Sequence, residues 1–370
     1  MLHPLTKKLM KKYFIGLAVV AAGLVTVAAI KAPATNSSAA AVQSISALAF
    51  GPDGILFLGD SKSAMVFAVN TNDAKKQKAV AADIKNIDQK IAALLGTTAE
   101  NIAITDMAVN PLSKKLYFAV QHKDGTPVLL TLNGDKLMPV SLKDVKATSV
   151  AISNAPGEDA KDQRGRSLRI STISDLGYAD GNLLVSGLSN HEFSSSFKSI
   201  PYPFTSKQNE STLEIYHAAH GKYETAAPIK TFTTASINGK KYLVASYTCT
   251  PLVLFAMDEL KPGKHVKGRT VAEMGSGNSP IDMVTLKSIG EDVLVMTNSR
   301  HPLAKVAYKN IAAFEGNLTE PVKGTAGVNF AATQMKDVLQ MDKLDDTQVV
   351  LVQKKADGAI DLWTTNENSL

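Results

Sequence analysis

The chain has 370 residues, with 40 Lys+Arg against 34 Asp+Glu and a formal net charge of +6. Residues 1–34 hold five lysines and no acid, so the remainder carries 35 bases against 34 acids, a net of +1. That balance excludes a general nucleic-acid binder, which needs concentrated cations. A content of 45% hydrophobic and 20% charged residues excludes a disordered chain, and a single cysteine excludes both a disulfide framework and an all-cysteine zinc site.

Lys7, Lys8, Lys11 and Lys12 precede an apolar run from Phe14 to Ile30, and Ala32-Pro33-Ala34 follows. A basic segment, an apolar segment and small residues describe a secretory signal over residues 1–34, which implies a periplasmic or secreted protein. Retained, the same run would be a short membrane anchor. No cysteine stands near it to take a lipid, and no membrane span is expected after signal cleavage.

The mature chain then repeats itself. Ile45–Phe50 with Gly54–Gly59 is a short strand, a polar turn and a second β-rich strand. The same pattern returns at Ile104–Val109 with Lys115–Val120, and at Ile173–Tyr178 with Asn182–Gly187. Further copies are Thr231–Ser236 with Lys241–Ser246, Pro280–Thr285 with Asp292–Thr297, and Met335–Gln340 with Gln348–Gln353. Third strands follow at Ala64–Val69, Pro127–Leu132, Thr212–His217 and Pro251–Ala256. A spacing of roughly 50–70 residues with three or four short strands per unit is that of a β-propeller blade. The expected fold is all-β: one propeller over residues 45–370, with six blades, or seven if a further blade hides in the longest intervals. The last copy stops after its third strand at Trp363. Residues 35–44 are therefore read as a linker and ring-closing strand, with residues 40–44 supplying the missing fourth strand.

Two intervals are long. Ile87–Leu95 reads as a short amphipathic helix ended by Gly96, and Asn190–Glu210 reads as an insertion before the third strand of its copy. Loops that leave a second strand and loops that enter a first strand share one face of a propeller, and loops carry function.

Candidate chemistry sorts by position in the repeat. Asp106, Asp175, Asp282 and Asp337 recur near the start of the innermost strand, where symmetry would ring them around the channel. Such carboxylates could hold calcium through oxygen ligands, or each could bond a neighbouring blade's amides. His122, His191, Cys249 and His301 lie in loops after second strands, where convergence would make a site for copper or zinc; otherwise they are a packed thiol and solvated imidazoles. His217 and His220 are three apart on what reads as strand and turn. Alternation would point them oppositely, on the face away from the converging loops. Arg164, Arg166 and Arg169, with Arg300 and Asn190, stand on the loop-rich face, where guanidinium groups suit carboxylate or phosphate recognition. The bland reading pairs them with Glu158 and Asp162. No nucleophile elbow, P-loop, Rossmann glycine motif or haem-attachment motif occurs at a suitable junction.

Units such as Ile45-Ser-Ala-Leu-Ala-Phe-Gly-Pro-Asp-Gly-Ile-Leu-Phe-Leu58 resemble those of secreted bacterial β-propellers of the broad NHL and YVTN-like kind. Tyr247-Thr-Cys-Thr-Pro-Leu-Val253 and Leu260-Lys-Pro-Gly263 look like pieces of an exported propeller family of no established activity. The resemblance implies the architecture and transfers no catalytic residue. The resulting expectation is an exported binding or scaffold propeller that engages a partner protein or a small ligand at the loop-rich face. The alternatives are a metal-dependent hydrolase or lyase with its ion at the central channel, and a scaffold subunit of a periplasmic redox enzyme.

Overall fold

Runs rich in Val, Ile, Leu and Phe, punctuated by Gly, Asp and Asn turns, form antiparallel strands here as their composition dictates. A computed structural model describes residues 41–370 and the strand Thr35–Ser38; the expected signal segment lies outside the described residues. The strands assemble into six sheets of four to six strands. Numbered by their first strands in chain order, the blades begin at Ala47–Phe50, Ile102–Val109, Asp175–Ala179, Thr231–Ile237, Pro280–Ser288 and Val338–Lys343. Each first strand pairs with the next in a two-strand meander and faces the ring centre.

The order of blades around the ring is not the order along the chain. Inner strands touch in the sequence 1, 3, 4, 5, 6, 2 and back to 1. Six apolar clusters confirm it, each filling one seam. Phe57 and Leu183 join blades 1 and 3, Phe197 and Phe255 blades 3 and 4, Leu252 and Leu294 blades 4 and 5. Val295 and Leu351 join blades 5 and 6, Phe118 and Val350 blades 6 and 2, Leu58 and Leu129 blades 2 and 1. Blade 2 is thus inserted between the first and last blades.

The chain accomplishes this by leaving blade 1 after three strands. It crosses to blade 6, where Asp83–Ile84 pairs with Leu362 and Trp363, runs through a helix at Ile87–Leu94, builds blade 2, and returns as Lys146–Ala151 on Met65–Asn70. Ring closure therefore differs from expectation. The fourth strand of the last blade is Asp83–Ile84 and not residues 40–44. Gln43 and Ser44 are instead held over blade 1 by Asp60, whose carboxylate accepts the Gln43 amide at 2.7 Å and the Ser44 hydroxyl at 2.6 Å. Thr35–Ser38 adds a fifth strand outside Lys146–Ala151.

One buried carboxylate pins the crossing. Asp73, in the segment leaving blade 1, accepts Ser113 Oγ at 2.5 Å, Lys115 Nζ at 3.0 Å and Tyr117 Oη at 3.3 Å, all from blade 2. Its carbonyl accepts Asn110 Nδ2 at 2.7 Å. Burial, reinforced by the Asp73 charge, pushes the Tyr117 phenol up to about 12.

A second departure lies in blade 3. The interval read as an insertion contains the strand Ser195–Pro201, so Asn209–His217 is the fourth strand and not the third. Buried Lys198 disguises it: Nζ donates to Glu210 Oε1 at 2.6 Å and to Ser196 Oγ at 3.2 Å. Among the described residues no helix is long and apolar enough to cross a membrane.

Replacing Asp73 by Ala strands several buried donors, each costing about 1–3 kcal/mol when unpaired. Asp73→Ala is expected to lower unfolding free energy by roughly 2–4 kcal/mol, read as a reduced urea midpoint.

Candidate functional site

The channel is built by the inner strands, and four carboxylates line it. Each ties its blade to the next. Asp106 Oδ2 accepts the Leu48 amide at 2.6 Å, Asp175 the Phe232 amide at 2.9 Å, Asp282 the Met341 amide at 2.6 Å, and Asp342 the Val109 amide at 2.6 Å. All four bonds run the same way round the ring, from blade 2 to 1, 3 to 4, 5 to 6 and 6 to 2. The reading of these aspartates as repeated structural bonds is the one the geometry matches.

One member differs from the expected set. Asp342 occupies the ring, and Asp337 does not. The inner strand of blade 6 is Val338–Lys343, several residues later than its repeat suggested, and Asp337 sits before it at φ 57°. At the blade 1–3 seam, where no aspartate stands, Ser61 Oγ donates to the Ile173 carbonyl at 2.9 Å and accepts its amide at 3.1 Å. Gly59 makes this approach feasible, since a Cβ there would lie 2.8 Å from the Ile173 side chain.

Packed together inside protein, these carboxyls are hard to ionise. Burial pushes Asp175 up to about 7 and Asp342 to about 6; burial, with neighbouring aspartates adding repulsion, raises Asp106 and Asp282 well above the usual range. The aspartates form one end of a cavity of about 910 Å³. Its wall continues through Phe50, Tyr178 and Lys114 to Asp345 and Asp346 in the strand one-to-two turns. The concavity therefore faces the side opposite the loop-rich face named in the sequence.

On the loop-rich face the expected residues do not converge. Arg166 is paired to Asp162 at 2.7 Å, and Arg169 donates to the Lys62 and Pro156 carbonyls at 3.1 and 2.8 Å, so both fasten loops. Arg164 and Arg300 are exposed. The Asn190 amide donates to the Asn154 carbonyl at 2.7 Å, and His191 Nε2 lies 3.6 Å from Glu210. His301 packs against Gly275. Neither His122, His191 nor His301 joins Cys249 in any cluster of three donors among the described residues.

Cys249 instead meets the histidines that strand alternation had set aside. Because Asn209–His217 is a fourth strand, its end lies on the same face as the loop Tyr247–Thr250, and a tight turn folds His220 back over His217. Their ring centroids are 3.8 Å apart. Glu224, on the next strand, accepts both Nδ1 atoms, at 2.9 Å from His217 and 2.8 Å from His220. Burial alone would raise the Glu224 carboxyl, but these two hydrogen bonds hold it down at about 2. Cys249 and Thr250 are both left-handed, at φ 68° and 56°. Thr250, as a β-branched residue, makes that conformation costly, at about 1–3 kcal/mol. It is held there by bonds from the Cys249 amide to the Asn278 carbonyl at 2.7 Å and from Thr250 Oγ1 to Gly275 at 2.8 Å. The sequence signal for this cluster was His-x-x-His followed by Gly221, read correctly as strand and turn but placed on the opposite face.

No family model and no curated sequence matches the chain. Among solved structures it is similar to extracellular domains 1–2 of Drosophila Semaphorin 1b, at 10% identity over 89% of this chain and 86% of that one, with a TM-score of 0.39. It is also similar to virginiamycin B lyase from Staphylococcus aureus, at 10% identity, 90% and 97% coverage and a TM-score of 0.38. A third is the PQQ-bound aldose sugar dehydrogenase of Streptomyces coelicolor, at 12% identity, 90% and 100% coverage and a TM-score of 0.35. No activity is transferred from any of them; the ring is defined by its own six sheets.

Raised carboxyls bind protons in the folded state that the unfolded chain has released. Stability from this source is present below about pH 4 and is lost as pH rises to about 7. Unfolding free energy from urea titrations is expected to fall between pH 5 and pH 7, by up to about 1.4 kcal/mol per pH unit for each proton involved. Asp175→Asn is expected to flatten that slope.

Proposed function

We propose that the protein is an exported binding propeller that takes a small cationic ligand at the carboxylate-lined end of its central channel. The observation carrying this reading is the cavity itself. Its lining includes six aspartates, Asp106, Asp175, Asp282, Asp342, Asp345 and Asp346, against two lysines, Lys114 and Lys343. Each ring aspartate spends lone pairs on backbone amides, yet a carboxylate has about four acceptor sites, so capacity remains for a donor from the cavity. Phe50, Tyr178 and Phe232 line the same space and suit an organic cation through their ring faces. A cation among carboxyls held partly protonated would displace protons, so binding and proton release are coupled. Export rests on the basic-apolar leader of residues 1–34.

Calorimetric titration with spermidine and, separately, with calcium chloride tests the reading. Spermidine is expected to bind at one site per chain, releasing protons at pH 6–7 and losing at least about tenfold affinity in Asp175→Asn. Saturable calcium binding without spermidine binding would replace the organic cation by a metal ion, the arrangement of a metal-dependent hydrolase or lyase. Binding of neither would overturn a channel ligand.

A further inference from the structure

The seam between blades 3 and 4 gathers donors of a different chemistry from the channel. A ring nitrogen of His217, one of His220 and the Cys249 sulfur all lie within 4.8 Å of one another. An ion about 2.0–2.1 Å from nitrogen and 2.3 Å from sulfur needs its donors roughly 3.3–4 Å apart, which falls inside that bound. We propose that His217, His220 and Cys249 bind a borderline-soft transition metal, with two imidazoles and one thiolate as protein ligands and a fourth position open to solvent.

Three observations carry this beyond proximity. Glu224 accepts a hydrogen bond from Nδ1 of both histidines, which fixes the tautomer and leaves both Nε2 lone pairs available. A carboxylate behind a ligating imidazole is the usual arrangement of a metal site, because it orients the ring and raises its basicity. His217 is only 1% exposed, and its Nε2 is buried without any hydrogen-bond partner. A buried acceptor left in that state is costly, and a metal ion at this position would satisfy it. The donor set also excludes the hard cations: calcium and magnesium take oxygen, whereas imidazole with thiolate selects zinc or copper.

The surroundings favour an open site over a closed structural one. The His220 side chain is 41% exposed, so one side of the cluster faces solvent. Three protein ligands with a free position is the pattern of sites that exchange a water or a ligand. Glu273 stands beneath the turn: Oε2 accepts the Ala219 amide at 3.0 Å, and Oε1 is buried without a partner. Its carboxyl lies within electrostatic reach of both imidazoles. The backbone supports the same geometry, since Cys249 and Thr250 are held left-handed by the bonds they donate to the Asn278 and Gly275 carbonyls.

Cobalt(II) titrated into the purified, reduced, metal-stripped protein tests the site. One equivalent is expected to bind with a sulfur-to-cobalt charge-transfer absorption, and zinc should displace it. Cys249→Ser should lose that absorption, and Glu224→Gln should weaken binding about 10–100-fold. Zinc should also slow alkylation of Cys249 by at least about tenfold, since a coordinated thiolate is no longer a free nucleophile. Because Cys249 and His220 are not fully buried, Cys249→Ser and His220→Ala are expected to keep the native circular dichroism spectrum. They remain informative if His217→Ala fails to fold. Competition against a chelator then assigns copper(I) or zinc as the resident metal, and tight retention of either supports the site. Three results would each overturn it: no stoichiometric cobalt or zinc in the wild-type protein, an unchanged spectrum and affinity in Cys249→Ser, or alkylation at the same rate with and without zinc. The last would mark Cys249 as a free thiol beside an imidazole.

Discussion

A hydrogen bond from one blade's backbone amide to the next blade's aspartate organises the centre of this molecule. An inner strand has one edge in its own sheet and the other exposed toward the channel, where unpaired amides would otherwise face a narrow, poorly solvated space. Asp106, Asp175, Asp282 and Asp342 each cover such an amide on the adjacent blade. The same requirement buries four carboxyls at the ring centre, and their raised proton affinity follows chiefly from that burial, with mutual repulsion adding to it at Asp106 and Asp282. Structure and electrostatics are therefore one feature: the bonds that hold the blades in register create the acidic end of the cavity.

The blade order depends on a different buried acid. A propeller built in simple succession closes on its first or last strand, but this chain threads blade 2 between blades 1 and 6. Asp73 makes the detour specific by binding Ser113, Lys115 and Tyr117 across the crossing segment. Asp83–Ile84 then completes blade 6, and Lys146–Ala151 completes blade 1. Both end blades are sealed by internal segments, so covalent continuity through blade 2 locks the ring at the two seams that blade 2 shares with blades 6 and 1.

Most strands were legible because hydrophobic alternation and turn residues are local. The helix Ile87–Leu94 was legible for the same reason, from its 3.6-residue spacing and the Gly96 stop. The errors are also local in origin and large in effect. Ser195–Pro201 carries Ser, Lys and Pro in place of the usual aliphatic residues, so it does not read as a strand. Missing it shifts the count by one, and antiparallel alternation then puts the end of Asn209–His217 on the wrong face. That single miscount separated His217 and His220 from Cys249. The substitution of Asp337 for Asp342 is a register error of the same kind, in a blade whose repeat is weakly written.

By itself, the sequence determined an all-β ring of six or seven repeated units, a near-neutral domain behind a basic N-terminal segment, and carboxylates placed toward the axis. Those properties follow from periodicity and composition, which are set within a few residues. Only the tertiary structure decided which blade neighbours which, where the cavity opens, and that Cys249 lies with His217 and His220 over Glu224. Each of these depends on contacts between segments far apart in the chain, and local pattern carries no record of which partner a strand's free edge or a turn's side chain will meet.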